Sequence, residues 1–271
     1  MKYLIASKHT SAGIQPIGGV QSWNDTVQKV LVNAGHTVHQ TEPSARAGID
    51  DKYDWVLVSN ARYFERLLSR SQRTVGVCHG IIPDEQPRRQ MVTRQAYVSE
   101  ETRDNWTPGV GFIVRQPIDL DFWKPARKRR ADLVVRASYR AEDSLSREFA
   151  AYLGESYIHA RNLSHKRLRE IYSRARVVFA SGRAALEAMA CGAPVVLYDY
   201  RSEYMPPTLD DRELNHSVTT NYSGRGGIMH PTLIQIIHAF RRAEERGGQH
   251  FRQWVEQYHD AEKVVRELVP C

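Results

Sequence analysis

Residues 176–199 read RVVFASGRAALEAMACGAPVVLYD, and this stretch decides the fold. Val177, Val178 and Phe179 form the kind of apolar run that becomes a buried strand. Ser181 and Gly182 supply a cap and a turn, and residues 184–190 are strong helix formers. Gly192 and Pro194 then stop the helix, and residues 195–197 open a second buried strand. A βαβ step of this kind leaves the N–H groups of a helix N-terminus at the carboxyl end of a parallel sheet, where anionic groups bind favourably. The stretch predicts an α/β chain with a place for a phosphate at Ser181 and Gly182.

Working outward, strands are expected at residues 3–6, 37–39, 55–58, 74–78, 96–99 and 111–114. Residues 22–34 read as an amphipathic helix with Trp23, Val27, Val30 and Leu31 on one face and Gly35 as its stop. Strands alternating with helices imply a parallel sheet in the first half. The strand that ends at Cys78 delivers His79 to the sheet's carboxyl end, where an imidazole can assist an attacking hydroxyl. In the second half a strand is expected at residues 133–135 and a helix at 165–175. The polar, glycine-rich stretch through residue 227 reads as a mobile lid or a surface loop, with the surface loop favoured. Helices are expected at 232–246 and 250–268, the last burying Trp254, Val255, Tyr258, Val264 and Val265.

The chain has 271 residues and an ordinary apolar fraction of 41%, enough for two compact halves. No apolar run reaches the length that crosses a bilayer, and MKYLIASKHT turns polar too soon for a signal peptide, so a cytoplasmic protein is expected. Cys78, Cys191 and Cys271 are far apart and show no zinc spacing, which predicts reduced thiols. Lys and Arg outnumber Asp and Glu by 38 to 31, a net charge of +7. That surplus suits a polyanionic partner, nucleic acid or an anionic membrane surface. It clusters at Arg88, Arg89 and Arg94, at Arg127, Lys128, Arg129 and Arg130, and at Arg161, Lys166, Arg167 and Arg169.

The wording of the chain resembles GT-B glycosyltransferases, most nearly glycosyltransferase family 4. The resemblance rests on Glu187, Ala188, Met189 and Ala190 followed by Gly192, Pro194, Val195 and Val196. It extends to the opening Gly18-Gly19-Val20, helix, Ala-Gly-His-Thr-Val, and to residues 97–125, where Ile118, Asp119, Trp123 and Pro125 match the entry to the family's interdomain linker. The fold implied is GT-B, two Rossmann-like parallel-sheet domains facing across a cleft. The family has two glutamates eight positions apart, and Glu187 matches the second, which binds the nucleotide ribose. Phe179 stands at the first, so this chain lacks it, and Gly182-Arg183 lie in a shortened loop.

The resemblance also implies roles for single residues. Gly18 and Gly19 would let backbone approach the donor and acceptor, since no Cβ intervenes. His79 matches a cleft histidine and, with Gly19, is the catalytic candidate. Arg136 and Arg140 follow the first strand of the second domain and are the candidates for the donor diphosphate, with Arg183 a third. A guanidinium fork suits phosphate. Ser181, Gly182 and Glu187 complete the donor set, while Arg88, Arg89, Arg127, Lys128, Arg129 and Arg130 are the acceptor set. Asp119-Leu120-Asp121 has the form of a metal-holding Asp-x-Asp, but the linker match explains Asp119 as a cap, and no metal or other cofactor is expected. The implied organisation is an acceptor-side domain at 1–118, a basic linker at 119–130, a nucleotide-sugar domain at 131–249, and a terminal helix at 250–271 that crosses back.

The function so implied is metal-independent transfer of a sugar, with retention, from a UDP- or GDP-sugar to a hydroxyl. For the acceptor, the basic surplus and short length favour hydroxymethylated pyrimidines in duplex DNA, as used by compact viral enzymes that would work in a host cytoplasm. Base extrusion would call for wedges, for which Trp23, Trp106, Trp123 and Tyr63 are candidates. A cell-envelope lipid or polysaccharide, reached by peripheral membrane contact, is the second acceptor. A non-catalytic nucleic-acid-binding module on a degenerate GT-B scaffold is the third reading. Sugar, base and oligomeric state stay open.

Overall fold

Short apolar runs separated by amphipathic segments become two parallel sheets, each flanked by helices. The computed structural model describes residues 1–8, 19–42, 53–64, 73–126, 131–137, 144–198, 204–205, 211–225 and 228–269. It divides into two compact units, Met1–Pro117 with Ala261–Cys271, and Ile118–Asp260.

In the first unit the elements run β1 (Lys2–Ala6), α1 (Gly19–Asn33), β2 (Thr37–Thr41), β3 (Trp55–Ser59), β4 (Thr74–Cys78), β5 (Arg94–Tyr97), α2 (Glu100–Trp106) and β6 (Phe112–Ile113). The strands pair in the order β2-β1-β3-β4-β5-β6, all parallel. One face of the sheet packs Tyr3, Ile5, Leu57 and Val75 against Trp23, Val27 and Leu31 of α1. Ser99 caps α2 by accepting from the Thr102 amide. Gly111 is needed before β6: its φ is +95°, and a Cβ there would sit 2.7 Å from the Gln95 carbonyl and 2.6 Å from the Tyr97 ring. Gly111→Ala is expected to lower stability by about 2 kcal/mol or more, the left-handed penalty plus the clash. A urea denaturation midpoint that does not move would show that the turn relaxes around the methyl group.

The second unit contains β7 (Leu133–Ala137), α3 (Ser144–Leu153), β8 (Ser156–Ala160), α4 (His165–Arg174), β9 (Ala175–Ala180), α5 (Gly182–Ala190), β10 (Val195–Leu197), the short pair β11 (Tyr204–Met205) and β12 (Ile228–Met229), and α6 (Asp211–Thr219) and α7 (Leu233–Tyr258). Its main sheet has the order β10-β9-β7-β8, again parallel. The deciding stretch forms as read, β9, α5 and β10 in succession. Helix α5 ends in a left-handed Gly192 (φ +72°), with Gly192 N–H donating to Met189 O and Ala193 N–H to Ala188 O. This paired closure is why the chain can reverse at once into β10. Helix α3 and strand β8 were not anticipated from the sequence, although Leu145, Phe149 and Leu153 pack one face of α3 onto the sheet.

Two expected segments divide differently from the sequence reading. Residue 118 of the expected acceptor-side domain and residues 119–125 of the expected linker belong to the second unit, where Ile118 and Trp123 are buried in its core. Arg252 of α7 holds them by donating to the carbonyls of Trp123 and Leu120 and to Ala190 O. Residues 127–130 lie outside the described residues. The expected terminal helix 250–268 is broken at His259 and Asp260. Its first part is the end of α7, after a non-helical Gly247 (φ 76°, ψ 158°). Its last part is a separate helix, α8 (Ala261–Leu268), which belongs to the first unit. The break is pinned because His259 is buried, hydrogen-bonds Tyr222 Oη through Nε2 at 2.9 Å, and accepts from Ile118 N–H. Val264, Val265 and Leu268 of α8 then enter the first unit's core. Among the described residues no helix is long and apolar enough to cross a membrane.

Candidate functional site

In each sheet one pair of adjacent strands has its onward connections leaving to opposite sides, and such a switch point opens a crevice at the carboxyl ends. In the second unit it lies between β7, whose last residues are Arg136 and Ala137, and β9, which runs into Ser181 and the N-terminus of α5. The sequence-predicted Arg136, Ser181 and Gly182 therefore share one edge of one sheet, with Arg183 and Glu187 following on α5. Arg136 is only 1% exposed. Its Nη1 donates to Tyr198 O at 2.9 Å, just beyond β10, and its guanidinium lies 4.8 Å from the Tyr198 ring centroid. Ser181 occupies the N-cap position of α5 with extended backbone, yet its side chain makes no capping hydrogen bond. The expected cap is thus corrected: position without bond. Its half-buried hydroxyl is not spent on the helix.

In the first turn of α5, Arg183 Nε donates to Glu187 Oε1 at 2.9 Å, both side chains being buried. Burial pushes the Glu187 carboxyl above the ordinary glutamate range, with the Arg183 guanidinium pulling the other way. Phe179, at the place of the family's first glutamate, is a core residue on β9 that meets Phe149 edge-on at 5.4 Å. Sequence reasoning missed Tyr222. The loop read as lying on the surface is buried at Tyr222, Ser223 and Gly224. Asn221 and Tyr222 adopt left-handed backbone (φ 52° and 54°). Tyr222 O accepts from Gly182 N–H at 2.8 Å, while its hydroxyl accepts from Trp254 Nε1 at 2.9 Å. A buried aromatic between Asn and Ser-Gly was the available signal. Its consequence is that the first amide of α5 already has a carbonyl partner.

In the first unit the switch point lies between β1 and β3. Gly19 opens α1 beyond it, while Gly18 lies outside the described residues. His79 follows β4, is 9% exposed, and shares a hydrogen bond between Nε2 and Ser59 Oγ at 2.9 Å. Its ring meets Trp23 edge-on at 5.1 Å. Glu85 accepts from the His79 amide at 3.2 Å and from Asn60 Nδ2 at 3.0 Å, and burial pushes its carboxyl upward. Nearer solvent, Lys8 Nζ and Tyr63 Oη both donate to Asp84 Oδ2, at 3.1 and 3.2 Å.

Arg88 and Arg89 line a cavity of about 530 Å³ with Gln86, Pro87, Gln90, Trp106 and Thr107. Trp106 is fixed beside the His79 loop by donating from Nε1 to Gly80 O at 2.9 Å. Of the four candidate wedges, Trp23 and Trp123 are core residues, and Tyr63 is held by Asp84 and Lys8. Trp106 is half-buried at the cavity wall. Arg127, Lys128, Arg129, Arg130 and Arg140 lie outside the described residues. Asp119 caps a turn, accepting from Phe122 N–H through Oδ1, and among the described residues no group of three His, Cys, Asp or Glu side chains is placed to hold a metal ion. Cys78 and Cys191 are buried free thiols. Burial pushes both upward, Cys191 to about 12.

No protein-family model and no curated protein matches the sequence. Solved structures do match the fold. An alpha-glucosyltransferase in complex with UDP and a 13-mer DNA containing a central A:G mismatch has a TM-score of 0.62 at 11% identity, over 98% of both chains. An alpha-glucosyltransferase in complex with UDP and a 13-mer DNA containing a HMU base gives 0.61 at 10% identity, over 98% of both chains. MurG of Acinetobacter baumannii gives 0.52 at 10% identity, over 98% of this chain and 99% of that chain. A match of this extent at so low an identity is a statement about architecture, and the architecture is the GT-B glycosyltransferase fold.

Proposed function

We propose that the chain is a glycosyltransferase of the family 4 kind, moving a sugar from a UDP-sugar to hydroxymethylated pyrimidines in duplex DNA. The observation that carries this reading is the edge of the second unit's sheet, where the buried Arg136 guanidinium and the N-terminus of α5 flank one switch point. A buried cation gains most from an anion brought to it, and helix N–H groups favour the same charge. A diphosphate leaving group fits both. Arg136, Arg183 and, beyond the described residues, Arg140 would stabilise the departing diphosphate as preorganised positive charge, so the transfer needs no metal. Ser181, Gly182 and Gly18 would contact the donor, and Glu187 its ribose. His79 with Gly19 would meet the acceptor hydroxyl, and retention is the stereochemical outcome the family likeness favours. Neighbours of the same fold in complex with UDP, and with DNA containing a HMU base, support the donor and the acceptor.

On the acceptor side the cavity beside Trp106 is lined by Arg88 and Arg89, and Arg127, Lys128, Arg129 and Arg130 add charge to the same chain. Arg88→Ala and Arg89→Ala are each expected to weaken DNA binding uniformly across sequences and to lower the salt slope by about one unit. Binding titrations at several salt concentrations check this, and an unchanged slope removes these arginines from the interface.

The deciding experiment offers UDP- and GDP-sugars with hydroxymethylated duplex DNA, followed by nucleoside mass analysis. A hexose or pentose mass on the base establishes the reaction. Donor hydrolysis with unmodified DNA moves the acceptor to a cell-envelope lipid or polysaccharide. DNA binding with no affinity for any nucleotide-sugar leaves the non-catalytic reading.

A further inference from the structure

Ser59 ends β3 and Asn60 follows it, His79 and Glu85 belong to the loop after β4, and the four close a ring of contacts. The imidazole of His79 shares its Nε2 hydrogen bond with Ser59 Oγ at 2.9 Å. The His79 amide donates to Glu85 Oε2 at 3.2 Å. The other oxygen of that carboxylate, Oε1, accepts from Asn60 Nδ2 at 3.0 Å, and Asn60 is joined to Ser59 by the chain itself. All four side chains are buried. The loop is tied down further where Asn60 Nδ2 donates to Asp84 O, Cys78 Sγ to Glu85 O, and Trp106 Nε1 to Gly80 O.

Two features of this ring are not what packing alone would select. Asn60 holds a left-handed backbone (φ 56°), a conformation costly for most side chains and one that asparagine tolerates. It points its amide at a carboxylate buried in a loop of a different strand. A buried carboxylate is expensive unless its oxygens are satisfied, and here both are spent on holding the backbone and neighbourhood of one histidine. Trp23 from α1 closes the remaining side at 5.1 Å between ring centroids. Ring, backbone and flank of His79 are therefore each fixed by a different element.

We propose that Ser59, Asn60 and Glu85 are positioning residues that set the tautomer and orientation of the His79 imidazole for the acceptor hydroxyl. This rests on the glycosyltransferase reading of the same edge. Ser59 acts on the ring directly, because its hydroxyl shares the hydrogen bond at Nε2 and so biases where the imidazole proton sits. Asn60 and Glu85 act on the backbone from which the ring hangs. The charged and titratable groups around them are Asp84 and Glu85 of the same loop, Cys78 at the end of β4, Lys8 after β1, and Tyr63 after β3.

The test uses Ser59→Ala, Ser59→Thr and Asn60→Gly in the full chain. Glycine keeps the left-handed backbone while removing the amide. Transfer kinetics and the imidazole ¹⁵N spectrum of His79 are read together. Ser59→Ala and Asn60→Gly are expected to lower kcat roughly tenfold, as the loss of one well-placed hydrogen bond allows, with the donor KM unchanged. Ser59→Thr, which keeps the hydroxyl, restores most of kcat. In the spectrum, Ser59→Ala shifts the tautomer balance of His79. An unchanged His79 spectrum in both Ser59→Ala and Asn60→Gly overturns the proposal. If the wild-type protein transfers no sugar yet its His79 tautomer responds to Ser59→Ala, the clamp stands and the assigned reaction falls.

Discussion

Glu187→Ala should destabilise the protein by about 3–5 kcal/mol, the cost of leaving one partner of a buried ion pair uncompensated. Arg183 Nε and Glu187 Oε1 are 2.9 Å apart on adjacent turns of α5, and Glu187 is 5% exposed, so solvent cannot replace the lost carboxylate. Substituting both partners together, as Arg183→Met with Glu187→Leu, removes the charge and its counter-charge at once and should return stability to near the wild-type value. Denaturation midpoints of the single and double variants measure the difference. The double variant also isolates the donor role from the structural one. If Glu187 contacts the ribose or Arg183 the diphosphate, the stable double variant binds UDP about 10- to 100-fold more weakly, the loss expected for hydrogen bonds to a charged group. Wild-type UDP affinity in that variant would confine the pair to holding α5.

The same pair carries a pH dependence. Burial raises the Glu187 pKa in the fold, so the protonated form is favoured there over the unfolded chain. The resulting contribution is complete below the ordinary glutamate value of about 4.3 and is lost as pH rises through the higher native value. Measured against Glu187→Gln, which does not titrate, the wild-type protein should gain stability as pH falls from neutrality towards that value.

His79→Ala should lower transfer by about 10²- to 10⁴-fold, the range for a general acid or base, while leaving UDP affinity untouched. The expectation follows from its place after β4 beside the β1/β3 switch point of the first unit, and from the hydrogen bond and ring contact that hold it. A variant that is folded, binds UDP and still transfers at the wild-type rate would return His79 to a packing role. The stability cost should exceed that of one hydrogen bond, about 2–3 kcal/mol, because Ser59 Oγ loses its partner and removal of a buried ring leaves a gap beside Trp23.

The parallel α/β architecture was legible in the order of residues. Val177 to Phe179, the Gly182 turn, the alanine-rich helix and Gly192 each act within a few residues, so strand, helix and stop were legible wherever local preference and burial agree. Strand β4 and the termination of α5 fall where the residues put them. The placement of His79 after β4 and of Arg136 at the end of β7 was also legible, because such strand ends lie at a parallel sheet's carboxyl edge. What tertiary structure alone decided is the set of partners at those positions. Nothing in the order of residues pairs Asn60 with Glu85, or brings Tyr222 to the first amide of α5. Nothing local breaks the last helix at His259, whose side chain is spent on Tyr222 and whose carbonyl is spent on Ile118. These contacts join residues tens of positions apart, and which buried polar group satisfies which other is settled only when the strands have taken their order and the hydrogen-bonding capacity left inside must be matched.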